Sequence, residues 1–143
     1  MADACERYRA RLLERVARAT DLELATGTAD DWGVGQIAVH LLLVERGVAA
    51  IALNLATGAA AGSTGQPRPL ASAVTRDGIA SLAGKTAFAI DRLRREFPAT
   101  PDSTTVARHP FYGELNTFGW LLTLPNHYHA HLEALERGTK SAL

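Results

Sequence analysis

Three of the five histidines in this 143-residue chain lie within five positions near its C-terminal end. His127 and His131 are four residues apart, so on a helix they lie about 40° apart on one face. Two imidazoles at that spacing can bind one ion, as His-x-x-x-His pairs do in helical zinc sites. His129 is two residues from each and points to roughly the opposite face. Surface or capping histidines are the competing interpretation of this short motif.

A histidine far upstream, His40, strengthens the metal interpretation. It lies between Val39 and Leu41 in a long apolar segment. A charged imidazole would be costly to bury there, so we expect a neutral ring with a polar partner. Alone, His40 is better explained as a hydrogen-bonded core histidine. Together with His127 and His131 it would form a three-histidine set with an open coordination position, which is typical of catalytic metal sites.

The hydrophobic periodicity predicts four helices and no strand of useful length. The helices are expected over residues 3–20, 32–57 and 71–97, and from 116 or 117 to a glycine stop at Arg137–Gly138. Loops are expected over 21–31, 58–70 and 98–115. Pro125 falls inside the last helix and removes a helical N–H, so either the helix kinks there, as we expect, or a new helix begins just before the histidines. This pattern predicts an all-α fold, a four-helix bundle in which metal ligands come from facing helices.

Apolar stripes define the inward faces of three of these helices. The first carries Cys5, Tyr8, Leu12, Val16 and Ala19; the third carries Ile79, Leu82, Thr86, Ile90, Leu93 and Phe97; the fourth carries Phe118, Leu121, Leu124, Tyr128, Leu132 and Leu135. The second helix has only two charges, Glu45 and Arg46, and is apolar almost all round. It is therefore expected to lie at the centre of the bundle or to bury a second face in a homodimer.

Length and composition predict a single domain over residues 1–143. The chain is 47% hydrophobic and 21% charged, with a formal net charge of zero. It lacks the basic patch that nucleic acids or anionic membranes attract, so neither is an expected partner. The single cysteine, Cys5, excludes an internal disulfide and a multi-cysteine metal site. No signal peptide or spanning segment is evident, and a cytoplasmic location is expected.

Three segments resemble the DinB-like four-helix-bundle superfamily. They are Trp32-Gly-Val-Gly-Gln-Ile-Ala-Val-His40, His109-Pro-Phe-Tyr-Gly-Glu-Leu-Asn116, and Trp120 followed by His127 and His131. The resemblance covers nearly the whole chain in helix order and length. Its specific part is the three histidines and the two tryptophans that precede them. The chain departs from the family pattern at Pro125 and at the extra His129.

The resemblance implies that His40, His127 and His131 bind a divalent metal such as zinc, nickel or iron. Characterised relatives include enzymes that use a low-molecular-weight thiol for S-transfer or isomerisation at the metal, so we expect a thiol-dependent S-transferase acting on small electrophiles. The family name implies no role in DNA binding. The alternatives are a stress-related bundle that binds a metal or ligand without turnover, and a metal-assisted hydrolase. The sequence leaves open whether the protein is an enzyme.

Other residues are secondary candidates for the site. Glu45, one turn beyond His40, is a candidate general base or partner of a metal ligand, with a salt bridge or an interface as its simpler role. Arg108 and His129 are candidates for contacts with a thiol cosubstrate near the cavity mouth. His109 is a further candidate to line a pocket, although a packed loop is the simpler interpretation.

Overall fold

Four long helices carry the fold in the computed structural model, which describes residues 1–62 and 65–136. The elements are α1 (Ala2–Ala17), α2 (Asp21–Leu24), α3 (Val34–Ala56), α4 (Arg76–Glu96), β1 (Ala107–His109), β2 (Gly113–Leu115) and α5 (Thr117–Glu136). A short 3-10 turn, Ala71–Ala73, precedes α4. The prediction of an all-α bundle built on α1, α3, α4 and α5 is confirmed. The expected stop at Arg137–Gly138 lies outside the described residues.

Helix α3 is the centre of the bundle and packs against α1, α4 and α5. It is long and apolar enough to cross a membrane, yet 67% of that stretch is buried by the rest of the chain. Burial inside one chain therefore accounts for its apolar character. Two buried hydroxyls fix its neighbours: Thr86 Oγ1 of α4 donates to the Leu42 carbonyl, and Thr117 Oγ1 of α5 donates to the Ala52 carbonyl.

Two loop predictions are wrong in part. Residues 21–24 form α2, because Thr20 Oγ1 accepts a hydrogen bond from the Glu23 amide and caps the turn. Within 98–115, β1 and β2 pair antiparallel with Ala107 opposite Leu115 and His109 opposite Gly113. Three-residue strands are too short to show an alternating pattern. Gly113 has a φ of +78°, a left-handed conformation that suits glycine at the end of the turn.

Side chains on the predicted stripes mostly face the core, but one stripe residue is exposed and one residue outside the stripes is buried. Phe118 is 45% exposed and meets the Phe97 ring edge-on at the surface. Arg9, placed by the pattern on the polar face of α1, is buried. Helix α5 continues through Pro125, so no second helix begins before the histidines. The kink expected at Pro125 stays a prediction.

Glycine at position 35 allows α2 and the start of α3 to approach closely. A Cβ at Gly35 would lie 2.0 Å from the Leu24 carbonyl oxygen and 2.8 Å from Val74 Cγ1. We expect Gly35→Ala to lower the free energy of unfolding by about 1–3 kcal/mol, because the backbone at Leu24 must move. The control is Gly84, exposed on α4, where a Cβ would have no neighbouring atom within 4 Å. Gly84→Ala should raise stability by about 0.8–1 kcal/mol through helix propensity.

Urea unfolding of the two glycine variants checks this contrast. A Gly35→Ala protein as stable as the wild type would show that the α2–α3 approach is not as close as described.

Candidate metal centre

Helices α3 and α5 bring together the three histidines that the sequence singled out. His40 lies in the second turn of α3, and the four-residue spacing places His127 and His131 on the face of α5 that packs against it. Each residue offers one ring nitrogen, and these nitrogens all lie within 4.8 Å of one another. His40 Nε2 and His127 Nε2 are 3.0 Å apart.

All three imidazoles are held in the neutral form. Burial lowers the pKa of His127 to about 3, helped by the charges that His131 and His40 would carry. Burial, followed by the effect of His40, lowers the pKa of His131 to about 4. The pKa of His40 is also lowered by burial, against a hydrogen bond to the Pro67 carbonyl that raises it. Neutral imidazole is the form that binds metal ions, so the set is ready to coordinate near neutral pH.

The orientation of His40 is fixed by the loop that follows α3. Its Nδ1 lies 2.8 Å from the Pro67 carbonyl oxygen and donates to it, which leaves the Nε2 lone pair facing His127. Gln36 lies one turn earlier on α3, and its Nε2 donates to the Pro69 and Thr28 carbonyls at 3.0 Å. Loop 65–70 is thus attached to α3 beside the histidines. A carbonyl on the second ring nitrogen is the usual support of a metal-binding histidine.

The donor set fits a divalent transition metal. Two nitrogens that each lie about 2.1 Å from one ion are roughly 3.0–3.4 Å apart for bond angles between 90° and tetrahedral, and the 3.0 Å separation falls in this range. The Nδ1 atoms of His127 and His131 are buried without a hydrogen-bond partner in the described part of the chain. Imidazole ligands suit zinc, nickel and iron.

A cavity of about 550 Å³ opens beside the three histidines. Aromatic side chains from three segments form much of its wall: Trp32 before α3, Phe111 and Tyr112 in the hairpin turn, and His109 at the end of β1. The Arg68 guanidinium lies 5.9 Å from the centre of the Trp32 ring at one side. The volume suits a small organic molecule.

The structure does not bring all the secondary candidates to this cavity. Arg108 is exposed on β1, and His129 is 64% exposed on α5, where its Nε2 lies 2.9 Å from Glu133. Neither lines the cavity, whereas His109, Arg68 and Trp32 do. His109 was recognisable from its aromatic-rich segment. Arg68 was missed because it lies in a Gly/Pro-rich loop with no periodicity, and only the folded chain shows where that loop runs.

Glu45 is buried behind the histidines and does not line the cavity. Its carboxylate forms an ion pair with Arg9 of α1 and accepts a hydrogen bond of 2.5 Å from the Tyr128 hydroxyl of α5. The salt-bridge interpretation therefore describes Glu45 better than the general-base one. Burial raises the pKa of Glu45 to about 7, while Tyr128 and Arg9 act to lower it. Through Glu45, Arg9 and Tyr128 this network connects α3 with α1 and α5, and Tyr128 directly follows His127 in the chain.

Cys5 is not a nucleophile in this structure. It is fully buried, and burial raises the pKa of its thiol to about 12, with the nearby charge of Glu45 acting in the same direction. The thiolate, which is the reactive form, is therefore nearly absent at neutral pH. Cys5 packs as a small apolar side chain of α1.

Comparison with known proteins supports the four-helix-bundle fold. No protein-family model matches the sequence, and no curated protein matches it. The chain is similar to the crystal structure of TT2238, described as a four-helix bundle protein, with a TM-score of 0.69 and 25% sequence identity over 94% of each chain. The protein is therefore a four-helix bundle similar to TT2238, with a cluster of three histidines between α3 and α5.

Proposed function

We propose that this protein binds a divalent metal through His40, His127 and His131 and uses it for S-transfer from a low-molecular-weight thiol to a small electrophile. The observation that carries the proposal is the set of three neutral, largely buried imidazoles at the wall of a cavity sized for a small molecule. Three protein ligands leave a coordination position for a substrate. The sequence resemblance to the DinB-like superfamily points to the same chemistry, in a cytoplasmic protein.

The bound metal would lower the pKa of the thiol, and the thiol would then be present as the thiolate nucleophile. The protein residues supply the rest. His40, held by the Pro67 carbonyl, presents Nε2 to the site in a fixed orientation. The aromatic wall of Trp32, Phe111 and Tyr112 binds the apolar part of an electrophile and excludes water from it. Arg68 at the edge offers a positive charge to an anionic cosubstrate.

Thermal unfolding with and without thiols tests the proposal. The metal-loaded protein and the chelator-treated protein are each heated with glutathione, cysteine or 2-mercaptoethanol. We expect a thiol to stabilise the metal-loaded form by about 2.7 kcal/mol at 100 times its dissociation constant, and to leave the metal-free form unchanged. The S-methyl derivative of the same thiol is the control, because it cannot form a thiolate.

Equal stabilisation by the thiol and its S-methyl derivative would contradict thiolate binding at the metal. Stabilisation by metal alone, with no thiol effect, would favour the alternative of a metal-binding bundle without turnover. Hydrolysis is the less supported alternative because Glu45 is already paired with Arg9 and Tyr128. Among the described residues that line the cavity, Asp30 alone carries a carboxylate.

A further inference from the structure

His109 occupies a fixed position at the end of β1, where the hairpin turns. Its Nδ1 accepts hydrogen bonds from two backbone amides of that turn, Phe111 N at 3.1 Å and Tyr112 N at 3.4 Å. Its ring packs against the rings of Tyr112 and Trp120, with centroid separations of 4.8 and 4.9 Å. Trp120 is held in turn by donation from its Nε1 to the Ala107 carbonyl at 3.1 Å. Both the position and the rotation of the imidazole are therefore set by the hairpin.

The two amides also determine which nitrogen of His109 carries the proton. Two backbone N–H groups point at Nδ1, so Nδ1 must be the acceptor. A proton on that atom would clash with both N–H groups. The neutral ring must therefore carry its hydrogen on Nε2. No protein acceptor for the Nε2 hydrogen occurs in residues 1–62 and 65–136.

His109 lies beside the three-histidine cluster. All four histidines line the same cavity, and a charge on His109 would contribute to lowering the pKa of His127. An N–H group on the cavity wall without a protein partner is a ready donor to a bound molecule. A donor in a partly enclosed, aromatic-lined site is worth more than one in water, because water competes less for it.

We propose that the Nε2–H of His109 is a permanent hydrogen-bond donor to the ligand of this cavity, and that the ligand presents an anionic oxygen or sulfur atom to it. The inference rests on the proposed function, since it places that atom in the same cavity as the metal. His109 cannot act as a base, because Nε2 already carries a proton and Nδ1 is occupied by two amides. It cannot act as an acid, because loss of the Nε2 proton would leave an imidazolate. Its role is to bind and orient.

The protonated nitrogen can be observed directly in metal-free protein. Long-range proton–nitrogen NMR correlation of ¹⁵N-histidine-labelled protein at pH 7 distinguishes the two ring nitrogens, and His109→Asn assigns the His109 signals by their loss. We expect the Nε2–H tautomer alone. A Nδ1–H tautomer, or a mixture of the two, would overturn the inference whether or not the protein binds a metal.

Two substitutions separate donation to the ligand from support of the hairpin. In His109→Asn the side-chain oxygen can replace Nδ1 as acceptor for the turn amides, and the donor to the cavity is lost. In His109→Gln the longer amide can replace the Nε2 donor, and the acceptor for the turn is lost. The probe is azide, an anion that binds metals and accepts hydrogen bonds, titrated into cobalt-loaded protein and followed by visible absorption.

We expect His109→Asn to weaken azide binding about 10- to 100-fold, the range for a hydrogen bond to a charged group, and His109→Gln to restore most of the affinity. Equal azide affinity in wild type and His109→Asn would overturn the inference, as would a greater loss in His109→Gln than in His109→Asn. The cobalt content of all three proteins is measured alongside. Absence of cobalt from the wild type would count against the proposed function, and the tautomer measurement would then decide the role of His109.

Discussion

Replacement of Glu45 by alanine is expected to lower the free energy of unfolding by about 3–5 kcal/mol. The Glu45 side chain is fully buried, and that of Arg9 is only 9% exposed. Removal of the carboxyl group leaves the buried Arg9 guanidinium without its counter-charge and the Tyr128 hydroxyl without its acceptor. Each unsatisfied buried donor adds its own desolvation cost. Denaturant unfolding followed by circular dichroism measures the change.

The control is an ion pair of the same composition at the surface. Arg11 of α1 pairs with Glu136 of α5, and both side chains are more than two-fifths exposed. Glu136→Ala should cost less than about 1 kcal/mol, because water replaces the lost partner. The double variant Arg9→Ala with Glu45→Ala should cost less than the sum of the two single variants, because no unpaired charge remains. A loss below about 1 kcal/mol for Glu45→Ala would show that the network does not hold the three helices together.

The cost of Glu45→Ala should also depend on pH. Burial raises the pKa of Glu45 from its ordinary value of 4.5 to about 7 in the folded protein. A carboxyl group with a raised pKa contributes stability that is fully present below about pH 4.5 and is lost as the pH rises through about 7. The difference in stability between wild type and Glu45→Ala should therefore be larger at about pH 6 than at about pH 8.

Replacement of His131 by alanine is expected to weaken zinc or nickel binding by roughly 100-fold or more. Loss of a supporting residue in a metal site commonly costs about 10- to 100-fold, and loss of a ligand should cost at least as much. Calorimetric titration of untagged protein, with elemental analysis of the purified samples, measures the effect. His131 suits this test because its buried Nδ1 has no hydrogen-bond partner among the described residues, so the substitution breaks no hydrogen bond at that atom.

The matched control for this second prediction lies on the same helix. His129→Ala also removes an imidazole, but from a position two residues before His131 on the exposed face of α5. It should leave the metal affinity unchanged. Similar losses in both variants would point to adventitious binding by surface imidazoles, and absence of metal from the wild type after incubation with zinc and nickel would contradict the proposed metal site.

The helices were predictable because burial imposes a 3.6-residue period on the side chains that face the core. The three histidines were predictable for a related reason. The spacing of His127 and His131 puts them on one face, and an apolar helix leaves few places for His40 except near another polar group. The pairing of α3 with α5 was an inference from bundle geometry, and the structure places the two helices in contact.

The sequence alone did not reveal contacts between residues far apart in the chain or contacts made by the loops. Arg9 looked like one more surface arginine, since its partner Glu45 lies 36 residues away on another helix. The short hairpin has no detectable period, so the turn that holds His109 was expected to be irregular. Arg68 and Pro67 reach the site only because loop 65–70 folds back over α3. Side-chain patterns carry little information about such paths.

The way in which loop 65–70 is attached has a consequence for how this protein can evolve. The loop is bonded to α3 through the carbonyl oxygens of Pro67 and Pro69, which accept from His40 and Gln36. These contacts use the main chain, so they persist when the loop side chains change. A substitution at Gln66, which lines the cavity, can alter the cavity wall while the alignment of His40 is retained. The loop side chains that line the cavity can thus vary by drift and selection without loss of the histidine cluster.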